Sequence, residues 1–249
     1  MWATLRTLGW LCWLAGYLIG RLPAYWKARR LAKKGRTAEH DALVRHQVSK
    51  WAPKLLRHIK CSVEVRGAEN VPQDEVIAVA SNHQSFIDIP VLLASLNPPV
   101  PLLSKDEIGK IPMLGGWMRE LGCIFLKRDD VRAGMEVMKQ AETHLRGGRS
   151  LTIFPEGTRS KDGRLGEYKA GVVRIASKAG VRILPVVLDG TSGALEDNRF
   201  RVKPARVRIT ILPPVETGGL SREEQKALPQ KLQAMAEDVM AGYREEDKV

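Results

Sequence analysis

From residue 61 onward, short runs rich in β-branched residues alternate with longer runs of helical periodicity. The strand-like runs are 61–66, 75–81, 100–104, 123–127, 150–154, 182–188 and 205–212. The helix-like runs are 86–96, 112–121, 130–145, 168–179 and 222–243. Strands that alternate with crossover helices pair mostly in parallel. This order therefore predicts an α/β domain over residues 61–249, with a largely parallel central sheet covered by helices.

The positive charge of the chain is concentrated in its first quarter. The net charge is +12, and residues 1–60 carry 13 Lys or Arg against 2 Asp or Glu. Residues 61–249 carry 27 basic against 26 acidic residues, so this body is nearly neutral. A nucleic-acid-binding domain needs basic residues interleaved with exposed aromatics. The charge distribution therefore predicts that the body has no nucleic-acid partner.

Residues 1–60 are predicted to form a two-helix motif that associates with a membrane surface. The charge-free run 7–20 has 14 residues, whereas a bilayer span needs about 20. Five of the six tryptophans lie in the first 51 residues, and a polybasic stretch follows at 27–36. Indole rings favour the headgroup layer, and cations favour an anionic lipid face. We expect a monotopic or peripheral protein at the cytoplasmic face of the cell membrane; the alternative is a hairpin packed on the body.

The cysteine pattern carries no metal or disulfide signature. Cys12, Cys61 and Cys123 are odd in number and widely spaced, without a C-x-x-C pair. A disulfide framework and a zinc ribbon both need paired, closely spaced cysteines. The sequence therefore predicts free or buried thiols and no metal site.

A histidine and an aspartate follow the strand-like run 75–81. His83 stands where the chain leaves the sheet, and Asp88 comes five residues later. Within one regular helix this spacing separates the two side chains by about 140°. They can pair only if His83 lies in the turn before the helix, which Pro90 in the first turn permits. An imidazole held by a carboxylate at Nδ1 presents Nε2 as a base.

A glycine-containing turn follows the strand-like run 150–154. Gly157 allows backbone to approach a ligand, and Thr158 and Arg159 supply hydrogen-bond donors. We expect Glu156 to stabilise this turn by pairing with Arg159. Cations also follow two neighbouring strands, at Lys105 and at 127–128. Together these residues predict a site for a phosphate-sized anion.

Four segments together resemble the glycerophospholipid acyltransferases, and their 1-acylglycerol-3-phosphate acyltransferases most of all. NHQSFID at 82–88 resembles the family motif N-H-x-x-x-x-D, and GCIFLKR at 122–128 resembles G-x-x-F-I-x-R. FPEGTRS at 154–160 matches the third motif, and ILPVVL at 183–188 resembles the fourth. All four occur in the family's order, with Leu126 where isoleucine is usual.

The resemblance implies a fatty acyl transfer from an acyl thioester to lysophosphatidic acid, which forms phosphatidic acid in phospholipid biosynthesis. His83 would be the general base and Asp88 the group that orients it. Arg128, Glu156, Gly157, Thr158 and Arg159 would form the site for the acceptor phosphate, to which we add Lys105 from its position. The donor would be acyl-CoA or acyl carrier protein as co-substrate, and no cofactor would be required.

Three other functions remain open at this stage. The acceptor could be another lysolipid, within the same family. A basic membrane protein could bind anionic lipid without catalysis. A serine hydrolase could use Ser81 or Ser85 beside His83, although no G-x-S-x-G nucleophile motif is present.

Overall fold

The computed structural model describes residues 2–126, 131–160 and 164–248. In this part of the chain strands alternate with helices from residue 61 onward. The strands are β1 (Cys61–Arg66), β2 (Ile77–Ser81), β3 (Leu103–Lys105), β4 (Ile124–Leu126), β5 (Leu151–Ile153), β6 (Arg182–Asp189) and β7 (Ala205–Ile211). The helices are α1 (Trp2–Gly20), α2 (Leu22–Lys33), α3 (Thr37–His58), α4 (Asp88–Ser95), α5 (Asp106–Gly109), α6 (Leu114–Leu121), α7 (Val131–Arg146), α8 (Gly171–Ala179) and α9 (Arg222–Glu246).

The sheet is mostly parallel, which confirms the predicted fold class. Five strands pair in the order β1-β7-β6-β2-β5, and only the β6–β7 pair is antiparallel. The parallel pair β3–β4 continues the sheet beyond β5, because Leu102 forms a parallel bridge with Thr152. The carboxyl ends of β2, β3, β4, β5 and β6 therefore lie along one edge.

Helices bury both faces of this sheet. Leu184 and Leu188 of β6 point into a core cluster shared with α3 and α4, whereas Ile183 and Val187 point into a cluster shared with α7, α8 and α9. This period of two is what a central strand covered on both faces requires. Helix α9 begins with a capping box in which the Ser221 hydroxyl accepts from the backbone of Glu224.

The amino-terminal segment forms three helices, so the two-helix prediction is wrong. The first predicted helix is divided at Arg21 into α1 and α2. Pro23 lies in the first turn of α2 and has no backbone N–H to donate to the preceding turn. A proline is tolerated at the start of a helix but interrupts the ladder of a helix that runs through it.

Helix α1 packs on the body with one face and leaves the other apolar face exposed. Trp10, Trp13 and Leu14 pack against the core cluster of α3 and α4, and Trp13 stacks on His58 with 4.5 Å between ring centroids. Along the opposite face large apolar side chains are exposed, namely Leu5, Leu8, Leu11 and Ile19. Among the described residues, no helix combines the length and the hydropathy needed to cross a bilayer.

Candidate active site

The predicted site residues that the structure describes, all but Arg128, gather at the edge where β2, β3, β4 and β5 end. A cleft of about 400 Å³ opens there. Catalytic and ligand-binding loops in open α/β sheets converge at this edge. The cleft is lined by His83, Phe86, Ile89, Leu102, Leu103, Ser104, Lys105, Glu107, Ile108, Leu126, Phe154, Gly157 and Arg159.

His83 and Asp88 form the pair that the family resemblance implies. The chain leaves β2 at Ser81, and His83 lies in the turn before α4, which begins at Asp88. His83 Nδ1 lies 2.6 Å from Asp88 Oδ2. The same oxygen accepts from the backbone N–H groups of Gln84 and Ser85 at 2.7 and 2.9 Å. Asp88 therefore holds the turn that precedes its helix and orients the histidine at the same time.

The Asp88 carboxylate is completely buried, and each of its oxygens has a partner. Its second oxygen, Oδ1, accepts from the Thr191 hydroxyl at 2.5 Å. A buried carboxylate is stable only when donors of this kind replace its lost hydration. The arrangement holds a negative charge against one side of the His83 ring.

Both the backbone and the ring of His83 are held in place. Its N–H donates to Glu156 Oε1 at 2.8 Å, and its carbonyl accepts from the Ser160 N–H at 2.8 Å. Its ring stacks on Phe154, with centroids 4.1 Å apart. Because Nδ1 faces a carboxylate it carries the proton, and Nε2 is the basic nitrogen. No described residue hydrogen-bonds Nε2, so it is available to a group bound in the cleft.

Glu156 fixes the position of His83 and does not pair with Arg159. Its two oxygens accept from the backbone N–H groups of His83 and Gly166, at 2.8 and 2.9 Å. The predicted Glu156–Arg159 pair is therefore wrong, because the buried carboxylate is already satisfied by backbone donors. Burial raises the pKa of Glu156, against the opposing effect of these two hydrogen bonds.

Arg159 pairs instead with Glu196, which reaches the site from the segment after β6. Arg159 Nη1 donates to Glu196 Oε1 at 2.7 Å. The guanidinium also stacks on Phe86, with its carbon 4.0 Å from the ring centroid. Glu196 accepts further from the Phe86 N–H at 3.0 Å and from the Ser85 hydroxyl at 2.5 Å. A flat cation fixed by one carboxylate and one ring keeps its other N–H groups for an anion.

The remaining predicted phosphate residues differ in their placement. Lys105 ends β3 and lines the cleft, with Nζ 3.1 Å from the exposed Glu107. Gly157 lines the cleft with φ +74, a left-handed conformation that glycine adopts without strain. Thr158 is exposed and lies outside the described lining of the cleft. Arg128 lies outside the described residues.

The two serines near His83 are engaged elsewhere. The Ser81 hydroxyl donates to the Asn82 carbonyl at 3.0 Å. The Ser85 hydroxyl donates to Glu196 and accepts from the Ile87 N–H. Both serines are completely buried. Neither arrangement is that of a nucleophile activated by the histidine, which needs its hydroxyl within hydrogen-bond reach of the base.

Two residues of the site were missed from the sequence. Thr191 and Glu196 are 103 and 111 residues from their partners Asp88 and Ser85. They reach the site because β6 is the parallel neighbour of β2, so the segments after both strands emerge side by side. No local sequence pattern indicates this strand pairing, so neither residue could have been found from the sequence. Among the described residues, no three His, Cys, Asp or Glu side chains form a group that could hold a metal ion.

Substitution of Gly166 by alanine should lower kcat through Glu156. A Cβ at Gly166 would lie 2.7 Å from Glu156 Oε2, so the carboxylate must shift and its bond to the His83 N–H must lengthen. We expect kcat to fall about 10- to 100-fold, since small misplacements of a reacting group have effects of this size. Steady-state kinetics check this.

Gly134→Ala is the matched control for this substitution, because nothing lies within 4 Å of its added Cβ. It should leave kcat unchanged. An unchanged kcat in folded Gly166→Ala would show that the position of Glu156 does not matter for catalysis.

The comparison with protein families decides the classification. The family model described as Acyltransferase matches residues 62–189, which is just over half of the chain and includes every predicted site residue. The chain belongs to the acyltransferase family. The family resemblance of the four motifs is thereby confirmed.

Curated relatives carry a more specific name. A chloroplast 1-acyl-sn-glycerol-3-phosphate acyltransferase of Arabidopsis thaliana is 40% identical over 155 residues, covering 61% of this chain and 43% of that protein. The 1-acyl-sn-glycerol-3-phosphate acyltransferase alpha of Mus musculus is 31% identical over 229 residues, covering 88% of this chain and 73% of that protein. The chain thus spans less than half the length of the plant acyltransferase.

A solved acyltransferase structure has the same architecture. The crystal structure of the 1-acyl-sn-glycerophosphate (LPA) acyltransferase PlsC from Thermotoga maritima matches with a TM-score of 0.81 and 26% sequence identity. The match covers 95% of this chain and 94% of that one. The α/β fold is therefore that of a solved acyltransferase.

Proposed function

We propose that the chain transfers a fatty acyl group from an acyl thioester to the free hydroxyl of 1-acylglycerol-3-phosphate, forming phosphatidic acid. The observation that carries the proposal is the His83–Asp88 pair at 2.6 Å beside a cleft, with Nε2 hydrogen-bonded by none of the residues that the structure describes. The cations Lys105 and Arg159 line the same cleft. The names of the relatives support the choice of acceptor.

The reaction needs one base and no protein nucleophile. His83 Nε2 takes the hydroxyl proton as the acceptor oxygen attacks the thioester carbonyl, so a C–O bond forms. The tetrahedral intermediate then collapses and the C–S bond breaks. The leaving sulfur takes the proton back from Nε2, which returns the histidine to its starting state. Asp88 stabilises the imidazolium between the two steps, and general acid–base catalysis of this kind contributes about 10²–10⁴-fold.

The acceptor phosphate binds beside the cations of the cleft. Arg159 would donate to it with the guanidinium N–H groups that Glu196 leaves unoccupied, and Lys105 would add a second charge. Gly157 allows close approach of the backbone, and the family resemblance adds Arg128. Binding energy gained at the phosphate positions the hydroxyl at Nε2, so that remote contacts accelerate the chemical step.

Substitution of Arg159 by alanine should lower kcat/KM for lysophosphatidic acid by about 10- to 100-fold, because a charged hydrogen bond contributes roughly 1.5–3 kcal/mol. We expect the change in both KM and kcat, since the phosphate contact binds the acceptor and also positions its hydroxyl at Nε2. Arg149→Ala is the matched control, because Arg149 pairs with Asp41 away from the cleft. Equal kcat/KM for Arg159→Ala and wild type would remove Arg159 from the phosphate site.

The acceptor is tested by a panel of lysolipids with one acyl thioester. Lysophosphatidic acid should have the highest kcat/KM, and monoacylglycerol, which lacks the phosphate, should react at least about 100-fold more slowly. A higher kcat/KM with a lysolipid of another headgroup would keep the reaction type and overturn the acceptor. Supplying acyl-CoA and acyl carrier protein in turn identifies the donor.

We propose further that residues 1–60 attach the protein to the cytoplasmic face of the cell membrane, in a monotopic or peripheral manner. The exposed apolar face of α1 supports this. Several exposed apolar side chains along one helix face form a patch of the kind that contacts a membrane. The exposed Trp26 and the cations of α2 would lie at the headgroups. A lysolipid acceptor and its product both reside in the bilayer, so attachment brings the cleft to the substrate.

Cys12 provides a probe of this attachment. It is exposed on α1, whereas Cys61 and Cys123 are buried, and burial raises their pKa to about 11 and about 12. An environment-sensitive maleimide dye should therefore label Cys12 alone near neutral pH. We expect its emission to shift to the blue with vesicles of phosphatidylglycerol and phosphatidylcholine.

The control for this label is Ala234→Cys in a Cys12→Ser background. Ala234 is exposed on α9, which covers the sheet face opposite to α1, so its emission should not change. An unshifted Cys12 label would overturn attachment through α1. Vesicle binding without any acyl transfer would instead favour the non-catalytic lipid-binding alternative.

A further inference from the structure

Residues 195–203, here called the interfacial loop, present an aromatic side chain among cations. Phe200 is 55% exposed. Arg199, Arg201 and Lys203 are exposed as well, and none of the three pairs with a carboxylate of the described chain. A large apolar side chain surrounded by unpaired cations is the composition of a surface that contacts anionic lipid.

The exposure of Phe200 is held by the backbone. Arg199 and Phe200 are consecutive non-glycine residues in the left-handed region, with φ 53 and 60. Bulky L-residues rarely adopt this conformation, and it persists only where surrounding structure enforces it. Here the Phe200 N–H donates to the Leu195 carbonyl and the Lys203 N–H to the Ala194 carbonyl, both at 3.0 Å. These two hydrogen bonds hold the loop backbone in the conformation that leaves the Phe200 ring exposed.

The interfacial loop adjoins helix α1. The Val202 N–H donates to the Thr7 hydroxyl of α1 at 3.0 Å. Val202 and Leu195 are buried in the core cluster against which Trp10 of α1 packs. Phe200 thus lies two residues from the contact with the helix whose exposed leucines form the proposed membrane face.

The same loop also adjoins the mouth of the cleft. Its Glu196 accepts from the Phe86 N–H at 3.0 Å and from Arg159 at 2.7 Å. Phe86 and Arg159 both line the cleft. A surface that receives Phe200 would therefore meet the protein beside the opening through which an acceptor must enter.

We propose that the interfacial loop is a second membrane contact, in which Phe200 enters the interface of an anionic bilayer and Arg199, Arg201 and Lys203 bind its phosphates. This inference rests on the membrane attachment proposed above for residues 1–60. Two contacts, α1 and the loop, fix the orientation of the protein on the surface, whereas α1 alone leaves it free to tilt. The orientation turns the mouth of the cleft toward the lipid that supplies the acceptor.

A dye at position 200 tests the location of the loop. Phe200→Cys in the Cys12→Ser background is labelled and mixed with phosphatidylglycerol–phosphatidylcholine vesicles, with labelled Ala234→Cys as the control. We expect a blue shift and quenching by nitroxide-labelled lipid at position 200 and neither at position 234. If the Cys12 label enters the bilayer and the position-200 label does not, the loop contact is wrong while attachment through α1 stands.

The binding contribution is measured with Phe200→Ala in the otherwise native chain. Vesicle partitioning should weaken about tenfold, since burial of one aromatic side chain is lost, and Phe200→Trp should restore it. Joint replacement of Arg199, Arg201 and Lys203 by glutamine should weaken partitioning on the order of a hundredfold at low salt and much less at high salt. Turnover of detergent-dispersed acceptor by Phe200→Ala should equal that of wild type.

Two results would overturn the loop contact. One is unchanged partitioning of both the Phe200→Ala variant and the triple-glutamine variant. The other is a position-200 label that responds to an acidic acyl carrier protein and not to vesicles, which would make the loop a protein-docking surface.

Discussion

Replacement of His83 by alanine should reduce acyl transfer by at least about 10²–10⁴-fold while the protein remains folded. The substitution removes the only group described at the cleft that is positioned as a base, with Nδ1 held by Asp88 and Nε2 unpartnered. The loss should fall on kcat, because the proton transfer belongs to the transition state. Steady-state kinetics with lysophosphatidic acid, together with circular dichroism, measure both quantities.

Two further variants separate the chemistry from the structure. His83→Asn keeps a donor that can reach Asp88 but provides no base, so it should be as inactive as His83→Ala. His46→Ala removes an exposed histidine of α3 and should leave the rate within about twofold of wild type, since an exposed position of this kind has little energetic effect. Activity of His83→Asn near that of wild type would limit His83 to a structural role.

Replacement of Asp88 by asparagine should lower kcat by about 10²–10³-fold with little loss of stability. One amide oxygen can still accept from His83 and from the backbone of Gln84 and Ser85, because one carboxylate oxygen accepts all three. The amide nitrogen would then donate to Thr191, whose hydroxyl presently donates to the other oxygen. The turn survives, and only the charge that stabilises the imidazolium is lost.

Asp88→Ala is the structural counterpart of this variant. It leaves the buried donors of Gln84 and Ser85 without an acceptor, so we expect a loss of roughly 1–3 kcal/mol in unfolding free energy for each. In a His83→Asn background, Asp88→Asn should have almost no further effect on kcat, because groups that act as a unit are not additive. An undiminished effect of Asp88→Asn there would mean that Asp88 acts independently of the histidine.

The sequence predicts those parts of the fold that depend on local pattern. The continuous apolar run 183–188 of β6 is buried between two helix layers, so hydrophobicity alone locates the strand within a residue. The His83–Asp88 pair was expected from the resemblance of the segment 82–88 to the first family motif, because the spacing alone would hold the two side chains about 140° apart in a regular helix. Helix α8 was predicted from 168 but begins at Gly171, because the Tyr168 and Lys169 N–H groups donate to Gln233 and Pro155.

Long-range partners could not be predicted from one sequence. Glu156 and Arg159 are three residues apart and oppositely charged, which favoured pairing them. Burial decided otherwise, since Glu156 is turned inward to backbone donors and Arg159 outward to Glu196. The partner of a charged side chain depends on which strands are neighbours in the sheet. No local sequence pattern determines that strand order.

A single-turnover reaction tests direct transfer to lysophosphatidic acid most simply. Enzyme in excess over a labelled acyl thioester is mixed with lysophosphatidic acid in anionic vesicles, and both lipid and protein masses are followed. The proposed mechanism predicts one phosphatidic acid formed for each thiol released, with the protein mass unchanged at every time point. Thiol release that precedes phosphatidic acid, with the acyl group found on the protein, would contradict it.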